Sequence, residues 1–194
     1  FQGVIPEGQI IEFIEKCLGS KINEDFTEFY NEIESAMAEN KFEETKDTLL
    51  EFISKNSDEI KGICFYLEGL IELKQFEDVG MFISSVEKDV QNKDEVKQVL
   101  KKMEIVKNNS SGPNINELLS KLENESNNID LILEISDKYF SKKEYENGMD
   151  LLLKNYPKNK DKVKNKMVEF FSVLGNTDQI TIKDRKKLSQ IMFS

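Results

Sequence analysis

The chain has 194 residues, a formal net charge of −10 and 38% hydrophobic residues, among them 13 Phe and no Trp. Three Pro and nine Gly are too few for a sandwich of short strands with many turns. The chain also has no run of about 18 apolar residues, the length that a membrane-spanning helix needs. The abundance of Leu, Glu and Lys, which favour helices, predicts an all-α protein.

The charge is distributed unevenly along the chain. Residues 154–194 carry ten Lys or Arg and four Asp or Glu, which leaves a balance of −16 on residues 1–153. An acidic body repels nucleic acid, so we expect no nucleic-acid partner for most of the chain. The basic end contacts nucleic acid or an acidic surface, or it is a solvated helix face, and the sequence leaves these interpretations open.

The chain opens with an apolar segment, FQGVIPEGQIIEFIEKCLG. Pro6 and Glu7 suit the first turn of a helix and Gly19 suits its end. This helix is too apolar to stand alone, and its expected packing partner would precede residue 1. Cys17 and Cys64 each lie singly in an apolar helical pattern, and there is no His. Buried, unreactive thiols are favoured over a disulfide or redox role, and we expect no metal or cofactor. With no visible signal peptide, a reducing, cytoplasmic compartment fits best.

A recurring turn organises the rest of the chain. An aromatic residue follows a short polar turn in NKFEETKDTLLEF, and the arrangement returns in KQFEDVGMFIS and KEYENGMDLLL. Phe42 and Phe76 are 34 residues apart, and Tyr145 follows 69 residues later, two such periods plus one residue. This spacing predicts a tetratricopeptide-like array of helix–turn–helix repeats, an α-solenoid. Three residues after each aromatic, Thr45, Val79 and Gly148 are slim enough for close helix crossing.

The middle of the array has lost this signature. Residues 92–109 and 115–122 predict two helices in the place of one repeat, separated by the breaker NNSSGP. We therefore expect a degenerate middle repeat with a flexible point at the breaker. After the last aromatic turn, residues 162–174 predict a further helix, and Thr177 or Thr181 leads into a final one.

Two sets of residues are candidates for binding a partner protein. First helices of such repeats line a groove, where carboxylates mixed with aromatic and Met side chains suit a peptide. An ordinary solvated helix face is the alternative. The candidate groove residues are Tyr30, Glu34, Met37, Lys61, Glu68, Glu72, Leu133, Asp137 and Phe140.

The final helix combines positive charge with apolar area near the chain end. A capping helix that seals the array is its alternative role, and both roles can hold on opposite faces. Its candidate partner-binding residues are Arg185, Lys186, Lys187, Leu188, Ile191, Met192 and Phe193.

The two ends and the repeats together resemble one family. The opening segment looks like the closing helix of a thioredoxin domain. The closing VEFFSVLGNTDQITIKDRKKLSQIMF is similar to the C-terminal signature of the chaperedoxins, bacterial thioredoxin–tetratricopeptide proteins of the CnoX or YbbN type. The signature pairs Phe170-Phe171 with Leu174-Gly175, a short polar loop, Arg185 and Met192-Phe193. The body of a thioredoxin domain, with any CxxC, is lacking.

The resemblance implies a holdase that binds unfolded client proteins and passes them to a GroEL-type chaperonin, with the extreme C-terminal helix making the chaperonin contact. It implies three segments: a thioredoxin-like remnant (1–20), the first repeats (23–109), and the degenerate repeat, last repeat and capping helices (110–194). From the residues themselves no nucleophile–base set, paired-acid pocket or phosphate loop can be drawn, so we expect no enzyme. A substrate-selecting region of a thiol–disulfide oxidoreductase and a plain scaffold adaptor remain the alternatives.

Overall fold

The computed structural model describes residues 26–193, which fall into two compact units, one ending at Lys41 and the other beginning at Phe42. The predicted opening helix, the thioredoxin-like remnant at residues 1–20 and Cys17 lie outside the described residues. Between residues 26 and 193 the chain is helical and contains no strand. The all-α prediction is confirmed, while the predicted division at residue 110 stays a prediction.

Eleven α-helices and one 3₁₀ turn make up residues 26–193. They are α1 (Thr27–Ala38), α2 (Phe42–Lys55), α3 (Ile60–Glu72), α4 (Phe76–Ser85), α5 (Lys88–Gln91), α6 (Asp94–Asn108), α7 (Ile115–Asn124), α8 (Ile129–Ser141), α9 (Tyr145–Asn155), the 3₁₀ turn Tyr156–Lys158, α10 (Lys160–Leu174) and α11 (Gln179–Met192).

The helices follow the predicted period along the chain. Second helices begin at Phe42, Phe76, Tyr145 and Gln179, so the last of them starts 34 residues after the one before it. The middle pair, α6 and α7, is complete, but α7 begins at Ile115, about five residues later than the period requires. The final helix therefore begins where the period places the second helix of a repeat, and its predicted capping role stays a prediction. The short α5, which buries Val90, is not predicted by the sequence pattern.

The three aromatic turns have the same backbone geometry. Asn40, Lys74 and Lys143 have φ of 61°, 59° and 63°, and each stands two residues before the aromatic. In each turn the next N–H donates to a carbonyl five residues back: Lys41 to Ala36 at 3.0 Å, Gln75 to Leu70 at 2.8 Å and Glu144 to Tyr139 at 2.9 Å. This is the Schellman motif, which satisfies the last carbonyls of a helix and reverses the chain.

Within the second unit, the first helices of the repeats pack on one another: α6 contacts α3, α8 and α10, and α8 also contacts α10. Helix α9 packs on α8, α10 and α11, and α7 packs on α8. A large apolar cluster contains residues from α6 and from each of the helices α8, α9, α10 and α11. It includes Ile132, Phe140, Leu152, Phe170 and Phe171. A smaller cluster joins α7 to α8 through Ile115, Leu118, Leu131 and Ile135.

Gly148 marks the close crossing of α8 and α9. A Cβ placed there would lie 3.2 Å from the Ser136 carbonyl oxygen and 3.4 Å from the Tyr139 Cβ. Thr45 and Val79, at the equivalent position of α2 and α4, are also buried. The slim residues that the sequence singled out therefore lie on packed helix surfaces, where bulk is limited.

The breaker at residues 108–113 is hydrogen-bonded to the next repeat. Lys138 of α8 is buried, and its Nζ donates to the carbonyl oxygens of Asn109 at 3.1 Å and of Ser111 at 2.6 Å. Gly112, at φ +90°, lies close to that amine. A buried ammonium thus pairs with two backbone carbonyls of the breaker, and the predicted flexibility of this point stays a prediction.

A glycine at position 74 should stabilise the fold. A left-handed conformation costs an L-residue roughly 1–2 kcal/mol, of which the greater unfolded-state entropy of Gly cancels about 0.5–1 kcal/mol. Lys74→Gly is therefore expected to raise the free energy of unfolding by about 0.5–1 kcal/mol in chemical denaturation. The neighbouring Gln75→Gly, at φ −84°, should lower it, and a gain from both variants would contradict the role of the turn.

Candidate protein-binding surface

The first helices of the second unit share a row of ion pairs. Lys102 Nζ of α6 lies 3.7 Å from Glu68 Oε1 of α3, and Lys166 Nζ of α10 lies 3.1 Å from Asp137 Oδ1 of α8. These two ion pairs, the pair between Lys143 and Glu72, and Glu169 form a surface that we call the first-helix face. Its members are Glu68, Glu72, Lys102, Asp137, Lys143, Lys166 and Glu169.

The pair that completes the face connects two repeats. Lys143, in the turn between α8 and α9, places Nζ 2.7 Å from Glu72 Oε1 at the end of α3, and it also lies 6.0 Å from the centre of the Phe42 ring. The face therefore contains four carboxylates and three ammonium groups. It is polar, internally paired and slightly acidic, which suits a charged or extended peptide better than an apolar one.

The most buried part of the face is a lysine shared by two carboxylates. Lys166 Nζ lies 2.8 Å from Glu169 Oε2 and donates to Asp137 Oδ2 at 3.2 Å. Burial raises the pKa of Asp137 above its usual value, although Lys166 acts in the opposite direction. Burial opposes the charge of Lys166, but Glu169 and Asp137 outweigh it and raise the pKa of that ammonium. Asp137 therefore carries the desolvation cost of the cluster.

Tyr145 connects this face to the end of the array. Its ring packs on Phe140 with centroids 4.7 Å apart. Burial, followed by the charges of Glu68, Glu72 and Asp178, raises the pKa of Tyr145 to about 12. A cavity of about 330 Å³ lies at the start of α9, lined by Lys143, Glu144, Tyr145, Glu146, Asn147 and Ile180. Its lining is mostly polar and holds no nucleophile paired with a base.

The predicted groove residues are only partly brought together. Tyr30 and Phe140 are 6% and 2% exposed, so both rings lie in packing and not on a binding surface. Phe140 stacks on Phe170 with centroids 4.1 Å apart. Leu133 packs at the edge of the large cluster. These three positions were assigned to the groove because helical spacing does not separate a surface stripe from the adjacent core stripe.

The remaining groove candidates keep at least part of their surface. Glu68, Glu72 and Asp137 belong to the first-helix face. Lys61 is exposed, and its Nζ lies 5.5 Å from the centre of the Phe65 ring. Glu34 is exposed and Met37 half-buried on α1, in the first unit. The carboxylates of the second unit thus form the coherent part of the predicted site.

The seven candidates on the final helix divide between two sides of α11. Leu188 is buried in the large cluster. Arg185 lies 5.3 Å from the centre of the Phe171 ring, and Lys187 pairs with Asp150 at 3.0 Å and with Asp184 at 2.8 Å. These three residues act within the chain. Lys186, Ile191, Met192 and Phe193 are exposed, Phe193 at 85%.

Sequence reasoning missed three residues of α11. Ile182 is 51% exposed beside Lys186, while Thr181 and Asp184 are buried on the packed side. A polar residue at a packed position gives no hydrophobic-periodicity signal, so the sequence pattern does not mark Thr181 and Asp184 as buried.

The described residues bear on three further features: a reactive thiol, a metal site and a membrane-spanning helix. Burial, with Glu68 and Glu95, raises the pKa of the free Cys64 to about 12, so this thiol stays protonated at neutral pH. Residues 26–193 contain no group of three His, Cys, Asp or Glu side chains that could hold a metal ion. None of the helices described here is both long and apolar enough to cross a membrane.

Comparison with known proteins supports the repeat assignment. Residues 108–193, from the end of α6 to α11, match a family described as tetratricopeptide repeat. The chain is also similar to a solved domain of the protein VP0806, of unknown function, from Vibrio parahaemolyticus, at 18% identity and a TM-score of 0.38. That match covers 84% of this chain and 96% of the other. No curated protein matches the sequence.

The helix pairs, the repeated turn and the family match agree on one architecture. The chain has the predicted all-α, tetratricopeptide-like repeat fold. Repeats of this type are scaffolds that bind proteins. The first-helix face and the exposed side of α11 are the surfaces through which this scaffold can act.

Protonation of Asp137 should stabilise the protein as the pH falls. Because the pKa of Asp137 is raised on folding, the folded state binds this proton more tightly than the unfolded state. The stabilisation is absent at neutral pH and is gained as the pH falls through the folded pKa towards the usual value of about 4. The unfolding free energy of the wild type, minus that of Asp137→Asn, should therefore rise from pH 7 to pH 4. A constant or falling difference in denaturant titrations would contradict the assignment.

Proposed function

We propose that this chain is the protein-binding repeat region of a chaperedoxin-like holdase or co-chaperone. In this role it binds unfolded client proteins and docks on a GroEL-type chaperonin through α11. The chain itself performs no catalysis, needs no cofactor and works in the cytoplasm.

The exposed side of α11 is the observation that carries this proposal. The last helix of a repeat array ordinarily presents a polar outer side, because no further repeat covers it. Here Ile182 and Phe193 are 51% and 85% exposed, and Met192 is 37% exposed. Residues 182, 186 and 193 are separated by helical spacing, so Ile182, Lys186 and Phe193 lie along one side. An apolar strip beside a positive charge, at the end of the array, supports docking on a partner protein.

A plain scaffold adaptor is the second candidate, and the first-helix face favours it. A surface that holds unfolded chains needs exposed apolar area, whereas this face consists of paired charges. An adaptor would bind one charged peptide there and would not protect unfolded clients. The third candidate, a substrate-selecting region of an oxidoreductase, requires a CxxC upstream, because Cys64 stays protonated.

Loss of the apolar strip should abolish chaperonin docking without unfolding the array. The double variant Ile182→Ser, Phe193→Ser removes two exposed side chains and leaves the buried Leu188 in place. Interface anchors of this kind contribute on the order of 1–2 kcal/mol each or more, so affinity for a GroEL-type chaperonin should fall about tenfold or more. Surface plasmon resonance with immobilised chaperonin measures this change.

A matched control and a second assay separate the candidates. Leu50→Ser, Met81→Ser removes two similarly exposed residues from α2 and α4 and should leave chaperonin affinity unchanged. In light-scattering assays the wild-type chain should also suppress aggregation of a chemically unfolded client. Equal chaperonin affinity for both double variants, or no binding by the wild type, would refute docking by α11. Chaperonin binding without client protection would favour the adaptor.

A further inference from the structure

The packed side of α11 is less apolar than that of the helices beside it. Three residues of α11 are buried, Thr181, Asp184 and Leu188, and only the last is apolar; Ile180 is partly buried against the large cluster. Helix α10 buries Val163, Met167, Phe170 and Phe171, and α9 buries Met149, Leu152 and Leu153. Since burial of apolar area is the main force that holds a helix on an array, α11 is the more weakly attached.

The two polar residues on this side oppose its attachment. Thr181 has no exposed surface, and its hydroxyl finds no hydrogen-bond partner among residues 26–193. Asp184 is 1% exposed, and its carboxylate lies 2.8 Å from Lys187 Nζ in an ion pair within the same helix. A hydroxyl and a carboxylate would both be better solvated in water, so detachment of α11 relieves their desolvation.

Ion pairs with α9 offset this deficit. Lys183 Nζ lies 2.8 Å from Glu146 Oε1, and Lys187 Nζ lies 3.0 Å from Asp150 Oδ1. The two lysines are four residues apart on α11, and the two carboxylates are four residues apart on α9. The two pairs therefore run in parallel along the contact. Lys183, Glu146 and Asp150 are exposed and Lys187 is half-buried, so the attraction of the two pairs is sensitive to ionic strength.

We propose that α11 is a charge-latched helix that detaches from α9 and α10 while the rest of the array stays folded. Detachment withdraws Leu188 from the large cluster and moves Arg185 away from the Phe171 ring. It uncovers the apolar surface of the array that Leu188 covers, beside Glu146 and Asp150. The proposal goes beyond chaperonin docking and does not depend on which protein α11 binds.

Hydrogen–deuterium exchange at two salt concentrations tests the latch on the intact chain. The Debye length falls from about 30 Å at 0.01 M to about 3 Å at 1 M salt, which removes most of the attraction between exposed charges. Backbone amides of α11 should exchange about tenfold faster in 1 M NaCl than at 10 mM, and those of α10 should change little. Equal exchange of α10 and α11 at both salt concentrations would overturn the proposal.

Variants on both sides of the contact make the test specific. Glu146→Gln, Asp150→Asn should reproduce at low salt the exchange that the wild type shows at high salt. Thr181→Val, which replaces the buried hydroxyl with a methyl group, should slow the amide exchange of α11. Lys162→Gln breaks the exposed pair with Asp130 at 2.6 Å, between α10 and α8, and should leave α11 unchanged. An α11 that responds to Lys162→Gln as strongly as to the α9 variant, or faster exchange after Thr181→Val, would also overturn the latch.

Discussion

The fold depends on a turn in which one residue adopts a left-handed backbone. At Asn40, Lys74 and Lys143 the chain ends one helix, reverses, and places an aromatic at the start of the next helix. The geometry follows from the unsatisfied carbonyls at a helix end, which the Schellman hydrogen bonds satisfy. Within the second unit, the slim residues Val79 and Gly148 follow two of these turns at the same spacing and are both buried. Gly148 lies where α8 and α9 cross closely.

The two candidate binding surfaces differ in their physical character. The first-helix face is built from charges that neutralise one another within the array, with Lys166 shared by Asp137 and Glu169. The outer side of α11 carries exposed apolar residues, and its inner side carries buried polar ones. A helix with this reversed distribution of polar and apolar residues packs weakly on its own array. Its attachment by charge and its exposed apolar strip together support a role in binding another protein.

Much of the fold could be predicted from the sequence, because the 34-residue spacing of Phe42 and Phe76 is a direct signal of the repeat. Helix starts are less visible in the sequence: α3 begins at Ile60 after Glu59, which makes no side-chain cap. Thr177 or Thr181 is expected to lead into α11, and the residue that caps this helix is Asp178, whose carboxylate accepts from the N–H groups of Ile180 and Thr181. Tyr30 and Phe140 were placed in the groove for lack of any sequence signal that separates groove from core. The Lys138 contact with the breaker joins residues 27 and 29 positions apart, which no local pattern reveals.

The identity of the three turns is the central claim, and the backbone angle φ tests it most directly. In NMR spectra of the intact chain, a residue with positive φ shows a strong nuclear Overhauser effect between its own amide and α protons, since these two protons are then unusually close. We expect this strong effect at Asn40, Lys74 and Lys143, and a weaker one at Lys41, Gln75 and Glu144. A weak effect at any of the first three residues would contradict a single turn that repeats along the chain.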